Sequence, residues 1–351
     1  MKTRIVFTIG AAFMLFLLSP VAICFSQPPL TAKELMENSR LKDHLKELEA
    51  GEIVLINQPE AEEGNELNVV MTILVSAPLK KTVDTLQRQA AAEDGPGFVA
   101  MGEMKDSTAS GLDKALAKVM FAPGEKDEVE EMMEIAPSDD FNFSHEEIAL
   151  IQRVAATVAT GAESEEAVAA MARAMREILK QRYLSYHTKG LKGLAPYQFS
   201  SSEQIHPSEE LIAATEELRL VKERFPDFYG SLRFYPEKTS SALTHQFFWV
   251  KQTESGRPLF VLKHWVLKIQ PGYALIAERR FYLSHSLNSL QVMIGCFPHG
   301  DKTLVVLLNQ TFTEKVNMSI GRSIAKQVGY SQVKKNILPI FENLRSAIGR
   351  Q

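Results

Sequence analysis

Apolar and polar positions change period three times along this chain. From Thr31 to Ala50, Leu35, Leu41, Leu45 and Leu48 recur at helical spacing and Gly51 follows, so the pattern predicts a helix. Ile53–Ile56 and Leu67–Val75 are short aliphatic runs that predict strands, the second ending at Ala77-Pro78. Leu79–Ala92 returns to helical spacing with Val83 and Leu86 on one face, and Asp94-Gly95-Pro96-Gly97 reads as a turn. Phe98–Met104 and Ala115–Phe121 predict two more short strands.

The middle of the chain reads as helical. Glu125–Glu134 is acidic and suits a solvated segment. Ser144 with Glu147 three residues on has the spacing of a capping box, in which hydroxyl and carboxylate satisfy free N–H groups at a helix start. That helix should run to about Thr160, before Gly161. Ser164–His187 predicts a second helix, and Pro207-Ser208 open a third that ends near Arg224, before Pro226.

In the last third, Thr244–Thr253, Leu259–Gln270 and Tyr273–Leu283 predict consecutive strands, with turns at Glu254-Ser255-Gly256-Arg257 and Pro271-Gly272. Gln291–Phe297 and Thr303–Thr313 add two more, joined by Pro298-His299-Gly300-Asp301. Such connections are too short for parallel crossovers, so the strands form an antiparallel meander. Ser319–Ile348 predicts a long amphipathic helix with Gly329 and Pro339 as candidate kinks. Its apolar face of Ile320, Ile324, Val328, Val333, Ile337, Ile340, Phe341 and Leu344 needs a sheet to cover it. Strands and helices segregate, which predicts an α+β fold: an antiparallel sheet packed against a long C-terminal helix, with a helical block inserted at about 125–235.

The order resembles the START-like helix-grip fold. The matching pieces are Leu67–Val75 with Ala77-Pro78 and the helix that follows, the strands from Thr244 to Thr313, and Ser319–Ile348. The resemblance covers about half of the chain and lies in order, not in a signature motif; the helical block at 144–225 departs from the family's compact form. It implies a START-like domain over 27–351 whose sheet and C-terminal helix enclose an apolar cavity for a lipid or other hydrophobic ligand. It transfers no site residue.

The N-terminus adds a location. Lys2 and Arg4 precede an uncharged run from Ile5 to Leu18, Pro20 breaks it, and Ala22, Ser26 and Gln27 follow. That is the layout of a secretory signal peptide over 1–26, which predicts an exported protein, periplasmic or secreted. A retained membrane anchor, or lipidation at Cys24, would use the same residues differently. Cleavage takes away Lys2 and Arg4 and moves the formal charge from -4 to -6, which argues against a nucleic-acid partner. It also leaves Cys296 alone, or as one of two cysteines if cleavage falls earlier; a lone cysteine forms no internal disulfide, so the fold stands on its own core, as one large domain or two interleaved lobes.

Candidate chemistry concentrates at Glu278–Ser289. Ser284 or Ser286 beside His285 has the residue types of an envelope hydrolase, yet there is no Gly-x-Ser-x-Gly elbow, and triads are assembled from distant segments. We assign no catalytic residue and read the segment as the polar end of a ligand pocket: Arg279, Tyr282, His285 and Asn288, with His264 and Trp265 from the preceding strand. A strand end whose polar groups bond the backbone is the plainer reading. His245 and His264 on adjacent strands could share a metal with His285 or Glu278, but no ligand-spacing motif accompanies them, so neither a metal nor a cofactor is expected.

Arg173, Arg176 and Lys180 share a helix face, with Tyr183, Tyr186 and Tyr197 interleaved. Such a face can meet anionic lipid headgroups as a peripheral membrane contact, or be solvated and paired with Glu177. Phe247, Phe248, Trp249, Phe260, Trp265, Tyr273, Phe281 and Tyr282 load the meander with aromatics, as core or as cavity lining. Three functions follow: an exported, non-catalytic binder of a hydrophobic or lipid-like ligand, an envelope hydrolase, or a scaffold using the helical block.

Overall fold

The computed structural model describes residues 29–38, 40–57, 64–92, 97–138, 140–159, 161, 164–316 and 322–349. The signal-peptide segment 1–26 and most of the 94–97 turn lie outside the described residues. In chain order the elements are α1 (Ala32–Asn38), α2 (Leu45–Glu49), β1 (Val54–Asn57), β2 (Glu66–Val75), α3 (Leu79–Ala92), β3 (Phe98–Glu103), α4 (Ala109–Ala115), α5 (Lys126–Met133), α6 (His145–Ala155), α7 (Glu165–Lys189), β4 (Tyr197–Gln198), β5 (Gln204–Ile205), α8 (Pro207–Glu216), α9 (Arg219–Arg224), α10 (Pro226–Arg233), β6 (Thr244–Glu254), β7 (Arg257–Gln270), β8 (Tyr273–Leu283), β9 (Ser289–His299), β10 (Lys302–Phe312) and α11 (Arg322–Gly349).

The fold is α+β. Eight strands form one antiparallel sheet in the order β1-β2-β10-β9-β8-β7-β6-β3, with the meander β6–β10 at its centre. Helices cover both faces. Phe248, Trp265, Leu267, Ile276, Val305 and Leu307 meet α3 and α11 on one side. Phe247, Trp249, Phe260, Leu262, Phe281 and Tyr282 meet the helical block on the other, where Val266, Leu275 and Met293 also pack against the N-terminal helices and α9–α10. The strand, the helix after it, the meander and the long last helix therefore stand together as the order of elements implied.

Several expectations need correction. The helix foreseen over 31–50 is α1 and α2 with a 3-10 turn at Arg40–His44 between them. Ala115–Phe121 is not a strand: Thr108 caps α4, and Leu116, Val119 and Phe121 are buried in the irregular chain that follows. A further short helix, α4, precedes the segment from about 125. The acidic run 125–134 is the amphipathic α5, with Val129 and Met132 buried and the buried Glu128 paired to Arg257 at 2.7 Å. The capping box at Ser144 and Glu147 is present, but α6 stops at Ala155. The helix expected to run from Pro207 to Arg224 breaks before Arg219, and Pro226 starts α10 as a first-turn proline instead of merely ending α9.

The last helix is continuous through Gly329 and Pro339. Val333, Ile337, Phe341 and Leu344 are buried and Ile340 packs beside them, whereas Val328 is exposed. Five residues before Val333, Val328 falls roughly 140° around the helix from that stripe. Ile320 and the side chain of Ile324 lie outside the described residues.

Two features of register position the site. Phe247, His264, Arg279, Gln291, Gln310 and Asn68 lie directly opposite one another from β6 to β2, a mostly polar row across an apolar sheet. The β7–β8 register steps from Leu262–Tyr282 to Lys263–Arg280, so Phe281 is the extra residue of a bulge. The bulge turns Phe281 and Tyr282 into the same core under the helical block.

Candidate functional site

Tyr183, Tyr186 and His187 lie three and four apart on the 25-residue α7, and that spacing lays them along one face over the sheet. His245 and Phe247 alternate on β6 and face them. Tyr235 follows α10; a Cβ at Gly190, which has φ 59°, would collide with the Tyr235 carbonyl oxygen, so only glycine lets the end of α7 come this close to Tyr235. These pieces border an open cleft of about 640 Å³. Tyr183, His187, Tyr235, His245, Phe247 and Met104 form its walls, and Glu103, Lys105 and Thr239–Ser241 its polar border.

Behind the cleft runs a hydrogen-bond chain. Tyr186 Oη lies 2.9 Å from His264 Nδ1, and His264 Nε2 lies 2.9 Å from His245 Nδ1. Arg279 Nη1 donates to Tyr186 Oη at 3.2 Å and to the Leu232 carbonyl at 3.0 Å. Its remaining donors reach Gln291 Oε1 at 2.8 Å and Thr215 Oγ1 at 2.9 Å. Arg279 is 1% exposed, and among the described residues no carboxylate pairs with it. Its positive charge is held by neutral acceptors alone.

A guanidinium only donates, so Tyr186 accepts from it, and the Tyr186–His264 contact is bridged by the phenol proton or by the proton of His264 Nδ1. In either direction along the chain one proton has no acceptor among the described residues, on the Tyr186 hydroxyl or on His245 Nε2. That atom is buried with no hydrogen-bond partner among the described residues. Burial, aided by His245, Arg279 and His187, pushes the His264 imidazole well below its usual range, and burial lowers His245 and His187 too. The histidines are therefore neutral near pH 7. Burial also raises the phenols of Tyr186 and Tyr235.

The rings pack tightly. His264 stacks on Phe247 with centroids 4.3 Å apart, and Tyr186 stacks on Phe281 at 4.0 Å. Tyr235 lies 5.3 Å from His245 and 5.8 Å from Phe247 between centroids. Aromatic walls with a polar border suit a mostly apolar molecule that carries a polar group.

Of the residues expected from sequence, His264 and Arg279 come together in this chain, directly opposite on β7 and β8. Trp265, one residue on, faces the other side of the sheet and donates to Glu278 Oε2 at 2.9 Å. Tyr282 is fully buried with the Arg182 guanidinium 4.3 Å from its ring centroid. Asn288 donates to Glu210 Oε1 at 2.8 Å, away from the cleft. His285 is 3% exposed and sits against Pro258, whose carbonyl accepts from Nε2 at 3.2 Å. Its Nδ1 then accepts from Ser286 Oγ at 2.6 Å. Burial, with Arg257 assisting, lowers this imidazole to about 4, which makes it a weak base for the hydrolase reading. Ser284 Oγ accepts the Phe260 N–H at 3.0 Å, a backbone role.

Among the described residues no three histidine, cysteine or acidic side chains gather to hold a metal. The basic face of α7 is partly engaged: Arg176 donates to the Val119 carbonyl at 2.8 Å and Lys180 pairs with Asp113 at 2.7 Å, while Glu177 takes Gln181 as partner. Sequence reasoning missed Tyr186, His187 and Tyr235 as site residues and weighed His245 only as a metal ligand. The available signal was the 183/186/187 spacing on α7, which the interleaved arginines and lysines made look like a surface.

No family model matches the chain, and no curated protein matches it. Five solved chains do, among them the crystal structure of Ara h 8.0201, with 11% sequence identity, a TM-score of 0.22 and coverage of 30% of this chain and 67% of that one. A superposition that loose carries no argument about function.

Proposed function

We propose that this protein is a non-catalytic binding protein of helix-grip type that holds one small, mostly apolar or lipid-like molecule in the cleft between α7, β6 and Tyr235. The observation that carries the reading is the cleft of about 640 Å³ with aromatic walls and a polar border. Apolar walls with a few placed polar groups are the usual make-up of a small-molecule site. The resemblance to START-like proteins placed the ligand between sheet and C-terminal helix. That interface is filled by Phe248, Trp265, Leu267, Val333, Ile337, Phe341 and Leu344, so the reading moves the ligand to the opposite face. We also propose that the chain works outside the cytoplasm, on the strength of the leader pattern at 1–26.

Native mass spectrometry of the protein purified from its host, followed by solvent extraction, tests the binding. A hydrophobic molecule at one per chain, lost in Tyr235→Ala, is the expected result. A chain that stays empty after incubation with envelope lipids and with aromatic acids would contradict it. Fractionation and N-terminal sequencing of the mature chain test the export.

A further inference from the structure

We propose that the outer face of α3 and α11 is a docking surface for a bilayer that carries anionic lipid headgroups. The two helices pack side by side over one face of the sheet and spend their apolar stripes there. The side left to solvent is basic. Lys80, Lys81 and Arg88 on α3 and Lys334, Lys335 and Arg345 on α11 are exposed or half-exposed, against Asp84 and Glu342. Asp84 pairs with Lys80 at 2.6 Å, and among the described residues Lys81, Lys334, Lys335 and Arg345 form no ion pair. The whole chain has a formal charge of -4, so this excess is local. On the other side of the sheet, α5 and α8 carry Lys126 against seven acidic residues. Charge separated in this way turns the α3–α11 side toward an anionic surface.

Two apolar side chains sit among these cations. Val328 is 64% exposed and Leu338 is 37% exposed. Lys335 follows Val328 by seven residues and precedes Leu338 by three, so the three lie along one face of α11, with Lys334 and Arg345 four and seven residues from Leu338. An element that rests in the headgroup layer combines cations for the phosphates with apolar side chains for the acyl boundary. The apolar pair selects the occupant. A nucleic-acid backbone is held by charge and hydrogen bonds and gains nothing from it, and the core of a protein interface is depleted in lysine. The basic face of α7, by contrast, has Arg176 and Lys180 already engaged within the chain. Docking through α3 and α11 leaves the cleft, on the other side of the sheet, facing away from the bilayer.

Flotation of the full chain, purified from its host, with vesicles of phosphatidylcholine alone and of equal parts phosphatidylcholine and phosphatidylglycerol tests the surface. Partition onto the anionic vesicles should be at least about tenfold stronger, and should fall as salt rises. This comparison needs no variant. Lys334→Gln combined with Lys335→Gln should weaken partition onto the anionic vesicles at least about tenfold, the scale of two cations near a charged surface. Val328→Asn should weaken it about threefold, less than full burial of a valine is worth, because the side chain inserts only in part. Arg173→Gln, on the exposed side of α7, should change nothing. Equal partition onto both kinds of vesicle, or onto neither, would overturn the proposal. So would a partition that the paired lysine variant leaves intact, a loss produced by Arg173→Gln, or capture by duplex DNA of a chain that ignores the anionic vesicles. None of these outcomes bears on what the cleft holds.

Discussion

Nε2 of His264 lies 2.9 Å from Nδ1 of His245, and this contact joins the buried interior of the sheet to the wall of the cleft. His264→Phe keeps the ring stacked on Phe247 but removes both nitrogens, leaving the Tyr186 hydroxyl with Arg279 alone and His245 Nδ1 without its His264 contact. The expected cost is about 1–3 kcal/mol of stability. Urea denaturation checks it; an unchanged midpoint would mean that the contact does not bear on the folded state.

Arg279 links more groups than any other residue near the site. Arg279→Met leaves Gln291 Oε1, Thr215 Oγ1, the Leu232 carbonyl and Tyr186 facing an apolar chain. The loss should be about 3 kcal/mol or more. Arg279→Lys should recover only part of it, because one ammonium cannot reach acceptors spread around a planar fork. Equal stability of the lysine variant and wild type in chemical denaturation would contradict the geometry.

Acid should destabilise the protein through His285. Its imidazole is held at about 4 when folded, chiefly by burial, against an ordinary value of 6.5. As pH falls through 6.5 the unfolded chain takes up a proton that the folded chain refuses. Stability is full above 6.5 and declines until pH passes about 4, by about 3 kcal/mol in all. His264 works in the same direction. Glu66 works in the opposite one: burial, then the charge of Glu217, raises its carboxyl from 4.5 to about 7, so its ionisation opposes folding as pH rises. His285→Gln should flatten the acid limb of a stability–pH curve, and Glu66→Gln should be more stable than wild type above pH 7.

Gly190→Ala should disturb the cleft from outside it. The added methyl would strike the Tyr235 carbonyl, and backbone, unlike a long side chain, has no cheap way to yield. The positive φ adds strain. A loss of more than about 1 kcal/mol is expected, with a shifted Tyr235 environment in near-ultraviolet circular dichroism.

The meander, the strand–helix pair at 66–92, the capping box at Ser144 and the long last helix were legible because each is written in local period or in one short motif. The cleft was not, because it gathers residues 103–105, 183–187, 235 and 239–247 backed by 264 and 279, and no window of sequence contains them together. The stretch 278–288 looked like a site because it is dense in polar types. Strand alternation and the bulge at Phe281 scatter those side chains: Glu278 to the α11 side with Trp265, Arg279 to the helical-block side, Tyr282 to Arg182, and His285 to Pro258. Arg279 stays with the cleft because it stands opposite His264. That pairing depends on strand register, which residue types alone do not reveal.

NMR titration of the full chain with 2-naphthoate separates the two faces of the sheet most directly. Binding at the cleft should shift the ring signals of His187, Tyr235, His245 and Phe247, while the Trp265 indole and the Val333 and Ile337 methyls stay where they are. Shifts concentrated at Trp265 and the last helix, with His245 unmoved, would place the ligand under the C-terminal helix and contradict the cleft.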